Sequence, residues 1–189
     1  MMMKKDYETI YKRNSETGRI VIEVLLNDYL EFFHEWDNAA FKKRDMHPEL
    51  AAFLDECSED IPLREDLEIQ FCLPEEIADP KREATIRTSF KNFYNSWINW
   101  EKKEMKRIVS GSGFLLLIAL TLLLLYTVLS GGDGDTLVTS VLLESLLIGG
   151  WVLTWEAFHG IAIDIVQPFK RRKELSRLLD SAISFRYVS

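Results

Sequence analysis

The hydrophobic pattern splits the chain into a mixed polar and apolar first half and two apolar runs. From Ile108 to Ser130 and from Leu137 to about His159 apolar side chains recur on every face, and only Gly131-Gly132-Asp133-Gly134-Asp135-Thr136 separates the runs. A helix rises about 1.5 Å per residue and the hydrocarbon core of a bilayer is about 30 Å thick, so about 20 apolar residues span it. Each run is long enough. So short a connection predicts a tight hairpin of two transmembrane helices.

Upstream the periods are those of a small folded domain. Residues 1–18 are polar and read as a frayed helix or tail ending in a turn at Asn14-Ser15-Glu16-Thr17-Gly18, with order beginning near Arg19. Arg19 to Leu26 is rich in β-branched residues and predicts a largely buried strand. Tyr29 to Trp36 fits strand or helix and reads as a strand or irregular extension. Asp45-Met46-His47-Pro48 starts a helix that places Leu50, Phe53, Leu54 and Cys57 on one face and stops at Pro62. Asp66 to Leu73 alternates with period two, so Leu67, Ile69, Phe71 and Leu73 are predicted to face a core, and Pro74 ends the strand.

Asp79-Pro80 opens a helix with no further Gly or Pro until Gly111. On it Ile86, Phe90, Phe93, Trp97 and Trp100 form a stripe suited to covering a sheet or pairing with another subunit's helix. Continued into the first apolar run, helix 80–130 would reach about 75 Å. Ser110-Gly111-Ser112-Gly113 is where a break would fall, and the sequence leaves continuity open. After the second run, Pro168 opens a basic amphipathic helix to about Asp180, and Ala182 to Val188 alternates like a strand that returns to the sheet.

The predicted fold is therefore a membrane α-helical hairpin plus a small cytoplasmic α+β domain, with a long helix leading into the first span. The expected divisions are a tail (1–18), the α+β domain (19–107), the hairpin (108–166), and a basic helix and strand (167–189). Orientation follows from the flanks. Lys102, Lys103, Lys106 and Arg107 precede the first span, Lys170, Arg171, Arg172, Lys173 and Arg177 follow the second, and the connecting loop carries only Asp133 and Asp135. Basic residues beside spans stay on the cytoplasmic side, so both termini are expected there. The first residues have no apolar core of a signal peptide, so uncleaved spans are expected.

Composition refines this picture. Mean hydropathy is −0.06 because a polar domain offsets the apolar hairpin. Of 189 residues only Cys57 and Cys72 are cysteines, and their apolar neighbours favour small buried side chains over a disulfide or a metal site. The net charge is −7, and between Asp45 and Asp79 twelve acidic residues face the single basic Arg64. That balance argues against nucleic acid as a partner. Segment 45–79 reads as a solvated acidic surface, with a cationic protein partner or divalent ions as the functional reading.

Glu35-Trp36-Asp37, Phe41-Lys42-Lys43-Arg44-Asp45, Pro48-Glu49-Leu50 and Ile61-Pro62-Leu63, followed by a long helix, a hairpin and an Arg-rich helix, resemble a group of uncharacterised bacterial two-pass membrane proteins. The resemblance implies this architecture and a bacterial inner-membrane location, and it brings no activity with it.

Few residues invite chemistry. Glu144 lies about 10 Å inside the outer end of the second span, where it would line a pore or bind a proton, or else bond Thr121, Tyr126 or Ser140 at comparable depth. Glu156 and His159 extend a stripe of Ser145, Gly149 and Val152 that is expected to face protein. Counted back through the loop, Glu156 falls level with Gly111 and His159 with Ile108, which suits an interfacial polar cluster more than a proton relay. Trp151 and Trp155 fit belt anchors or subunit packing, and Asp164 is expected to be solvated. His34, Glu35, Asp37, Asp45 and His47 lack metal-ligand spacing, and Asp133-Gly134-Asp135 is too short for a calcium loop. With no phosphate loop, nucleophile elbow or paired-cysteine motif, no enzyme, cofactor or metal is expected. The first functional reading is a membrane protein with a cytoplasmic interaction or sensing domain, as a homo-oligomer. The alternative is an oligomeric ion channel or membrane-permeabilising pore gated by that domain.

Overall fold

The computed structural model describes residues 7–34, 45–131 and 136–188. The chain divides into two compact units, Met1–Asn99 with Arg172–Ser189, and Trp100–Arg171.

The first unit is built on a four-stranded mixed sheet of order β1-β2-β3-β4, with β1 Lys12–Arg13, β2 Ile20–Leu25, β3 Leu67–Pro74 and β4 Ala182–Val188. β1 runs antiparallel to β2, while β2, β3 and β4 run parallel, with Ile22 opposite Ile69 and Ile69 opposite Ile183. Order begins earlier than Arg19, because a short helix α1 (Tyr7–Ile10) precedes β1 and buries Tyr7. The β1–β2 turn closes on Asn14, whose side-chain Oδ1 accepts from the amides of Glu16 at 2.9 Å and Thr17 at 3.2 Å. Gly18 completes the turn at φ +70°, which an L side chain rarely adopts.

Leu67, Ile69, Phe71 and Leu73 enter the core as their alternation predicts. Between β2 and β3 lie two further elements. Tyr29–Phe32 is a 3₁₀ turn rather than a strand, capped by Asp28 accepting from the Leu30 amide at 2.7 Å, and Phe33 then bridges Met46. Helix α2 (Pro48–Asp60) is capped by His47, whose Nδ1 accepts from the Glu49 amide at 3.3 Å. Its buried face is Ala51, Leu54, Cys57 and Ser58; Phe53, predicted to share that face, is 44% exposed. Both cysteines are buried and free.

Helix α3 runs unbroken from Pro80 to Leu129, so Gly111 and Gly113 do not interrupt it. Two helical glycines cost about 2 kcal/mol together, which the long runs on either side outweigh. Its core column is Ile86, Phe90, Tyr94 and Ile98, whereas Phe93 is partly buried and Trp97 and Trp100 stand 44% and 55% exposed. The predicted stripe therefore shares only Ile86 and Phe90 with the observed column. The helix packs one column against a narrow sheet and leaves the neighbouring one outside. Helix α4 (Leu137–His159) follows, then a π-helical turn Gly160–Asp164, helix α5 (Val166–Leu179) and β4. The last part of α5 brings Leu175 and Leu178 into the sheet core.

Candidate functional site

The second unit contains two helices long and apolar enough to cross a membrane. In their most apolar windows only 11% of residues on α3 and 6% on α4 are buried, whereas the core helix of a soluble protein would be mostly buried. Their seam is made of small residues. A Cβ on Gly150 would come to 2.7 Å from the Leu123 side chain and 3.5 Å from the Ala119 carbonyl oxygen, and one on Gly160 would overlap the Ser112 hydroxyl. Ala119 and Ala157 are fully covered. Gly150 thus meets Ala119, and Gly160, the residue after α4, meets Ser112, with the covered Ala157 between them at spacings of seven and three that return all three to one face.

The predicted stripe lies elsewhere. Ser145, Val152 and Glu156 are exposed, and Gly149 has only an ordinary contact in prospect, 3.7 Å to Leu122. Adjacent residues sit about 100° apart on a helix, so choosing Gly149 instead of Gly150 rotates the whole face. The register also differs from the loop count. Gly160 sits opposite Ser112, about one turn further along α3 than the predicted pairing of His159 with Ile108. Part of that loop, Gly132–Asp135, lies outside the described residues.

Glu144 is exposed and, among the described residues, has no side-chain hydrogen bond or ion pair. Of the three expected hydroxyl partners, Thr121 and Ser140 donate along their own helices, as does Ser145. Thr121 donates to the Leu117 carbonyl at 2.8 Å, Ser140 to that of Thr136 at 3.3 Å, and Ser145 to that of Val141 at 2.7 Å. Trp151 and Trp155 point outward, Trp155 with its ring 6.1 Å from that of Phe158. His159 turns not toward Lys106 or Arg107 but toward Asp164 across the π-helical turn, Nδ1 to Oδ1 3.5 Å, with both side chains about half exposed.

At the base of this unit charge is segregated. Glu101 is buried, and that burial pushes its carboxyl up while nearby Arg171 opposes the shift. Lys102, Lys103, Lys106 and Arg107 are exposed on the outward side of α3. Arg107 pairs with Glu104, whereas Lys102, Lys103 and Lys106 make no ion pair or hydrogen bond among the described residues.

In the first unit an open groove of about 570 Å³ is lined by Leu26, Leu30, Glu31, Phe33, His34, His47, Glu49 and Leu50. The rings of His34 and His47 stack there at 6.1 Å. Of the histidine and acidic set considered from sequence, Glu35 and Asp37 lie outside the described residues, and the described ones contain no cluster of three potential metal ligands. The acidic stretch 45–79 is not a uniform surface. Glu68 is buried and accepts from Asn14 and Ser184, each at 2.8 Å, and Glu65 pairs with Arg13 at 3.0 Å.

Sequence reasoning misses Arg177, which it counts as a basic flank. Its guanidinium instead caps α2, donating to the carbonyls of Ile61 at 2.9 Å and Pro62 at 2.8 Å and to the carbonyl and hydroxyl of Ser58. Only the three-dimensional course of the chain brings these groups together, across more than a hundred residues. No protein-family model, curated protein or solved structure matches this chain.

Proposed function

We propose that this is an integral membrane protein in which α3 and α4 cross the bilayer as a hairpin and hold a cytoplasmic α+β module that works by interaction or sensing, as a homo-oligomer. The observation that carries this reading is the outward apolar surface of the hairpin. Phe114, Leu117, Leu124, Val128, Leu137, Val138, Ile148, Trp151 and Trp155 are each more than 60% exposed. Water would penalise that surface by about 25 cal/mol per Å², and lipid would not. Exposed lysines at the base of α3 support a cytoplasmic side for both termini. The resemblance to bacterial two-pass proteins supports an inner-membrane location.

The case for several copies rests on Glu144 and Glu156. Both are exposed, and at the depth of Glu144 a carboxylate exposed to hydrocarbon costs about 3 kcal/mol or more. Contact with further copies removes that exposure. Glu144 also supports the second reading, an oligomeric pore gated by the cytoplasmic module, because an unpaired carboxylate on an outward face can line a lumen between copies.

The test is the mass of the nanodisc-embedded complex, joined to single-channel recording of the same sample and of Glu144→Gln. A defined ring with Glu144-dependent current makes the pore primary. An oligomer with silent bilayers leaves the interaction module, and a chain that stays in solution without detergent overturns the membrane reading.

A further inference from the structure

At about 100° per residue, Lys102, Lys103 and Lys106 fan over the face of α3 opposite Glu101, Glu104 and Ile108, and the burial pattern agrees, with Glu101 buried and the three lysines exposed. Of the acids of this segment, Glu101 is buried near Arg171, and Glu104 is paired with Arg107. The lysines are left without an acidic partner among the described residues. Directly beyond them, on the same outward side of the same helix, come the exposed apolar side chains Val109 and Phe114, and just before them the exposed indole of Trp100. Apolar surface followed by three unpaired cations is the order in which a leaflet presents acyl chains and then phosphates. Arg177 takes no part, since it is consumed in capping α2.

We propose that Lys102, Lys103 and Lys106 form a binding surface for the headgroups of anionic phospholipids, seated on α3 at the end of the first span. The proposal rests on the membrane reading above. The recognised group is a phosphodiester with net negative charge in the leaflet itself. Lysine suits it as a flexible point charge whose stem lies along apolar surface while its ammonium reaches the phosphate.

The test is native mass spectrometry of the delipidated full chain in detergent, titrated with phosphatidylglycerol or phosphatidylcholine of matched acyl chains. Each lysine near an anionic surface contributes about fivefold in affinity. The wild type is expected to prefer phosphatidylglycerol by at least about tenfold. The triple variant K102Q/K103Q/K106Q should fall to within about twofold while binding phosphatidylcholine as before, and the charge-preserving triple arginine variant should keep the preference. Circular dichroism of each variant checks that the helices are intact. Equal binding of the two lipids by the wild type, or a preference that survives the glutamine variant, overturns the proposal but not the membrane reading. Full competition by millimolar inorganic phosphate also overturns it in favour of a free-anion site. A chain that binds neither lipid and stays soluble without detergent sinks both.

Discussion

The Tyr187 hydroxyl donates to the Glu83 carboxylate, joining the last strand of the sheet to the first turns of the long helix. The Tyr29 hydroxyl lies 2.9 Å from that of Tyr187 and accepts from the Asp79 amide at 3.1 Å, so one chain of bonds links β4, the 3₁₀ turn and the start of α3. Burial, reinforced by the bond to Glu83, pushes the Tyr187 phenol up, so it stays protonated as a donor at any ordinary pH. Tyr187→Phe is expected to cost about 1–3 kcal/mol, because it removes one hydroxyl and strands two partners. Tyr29→Phe should cost a similar amount, and the double variant clearly less than the sum. Denaturant midpoints of the full chain in detergent check this; additive costs would show that the two hydroxyls do not act as one network.

Arg177 supports α2 from its C-terminal end, where carbonyls are otherwise unpaired and the helix dipole favours a cation. Burial pulls its pKa down and Glu174 opposes this, yet guanidinium remains charged at neutral pH. Arg177→Ala should destabilise the α+β unit by about 2–4 kcal/mol. Arg177→Lys should rescue little, because an ammonium cannot reach the Ser58, Ile61 and Pro62 oxygens as a planar fork does. Hydrogen exchange of the α2 amides is the direct readout, and protection equal to wild type in the alanine variant would refute the capping role.

What the sequence makes legible is whatever has a single dominant period. Leu67 to Leu73 alternates strictly and its apolar members all enter the core, and the two apolar runs are long enough that no competing shape fits them. Tyr29 to Phe32 has no period of its own, and its 3₁₀ turn is set by the Asp28 cap and the Phe33–Met46 bridge. On α3 the sequence offers two adjacent columns, Phe93 with Trp97 and Tyr94 with Ile98, and aromatic size points to the first; contact with the sheet selects the second. The seam of the hairpin suffers the same ambiguity, since Gly149 and Gly150 are both small. Arg177 and the tyrosine chain are invisible in the sequence because their partners are far away along it.

The acid side of the stability profile should depend on Arg13. Its guanidinium hydrogen-bonds the Glu65 carboxylate at 3.0 Å and holds that carboxyl below its ordinary range, with Tyr7 adding a further bond. A carboxyl depressed in the fold contributes stability that is complete above its unfolded pKa and is lost as the pH falls through the folded one. Arg13→Ala should therefore lower the thermal midpoint at neutral pH and flatten its fall on the acid side, where wild type and variant converge. The pair is partly exposed, so the difference should be small and should shrink further in high salt. A neutral-pH difference that persists unchanged well below the carboxylate range would show that Arg13 acts through packing.

The hairpin seam makes its own distinction among glycines. At Gly150 a Cβ must displace Leu123, and at Gly160 it meets Ser112, while Gly111 and Gly113 face open space and Gly149 has room for a methyl. Gly150→Leu should therefore separate α3 from α4, with a loss of about 1–3 kcal/mol from overpacking. Gly111→Ala and Gly149→Ala should be neutral or gain up to about 1 kcal/mol from helix propensity. The readout is disulfide trapping between cysteines placed at Ala119 and Leu153, combined with the thermal midpoint in detergent. In the Gly150→Leu background trapping should fall sharply, and in the Gly149→Ala background it should persist. The reverse order would put Gly149 in the seam and return the stripe of Ser145, Gly149 and Glu156 to the interior of the hairpin.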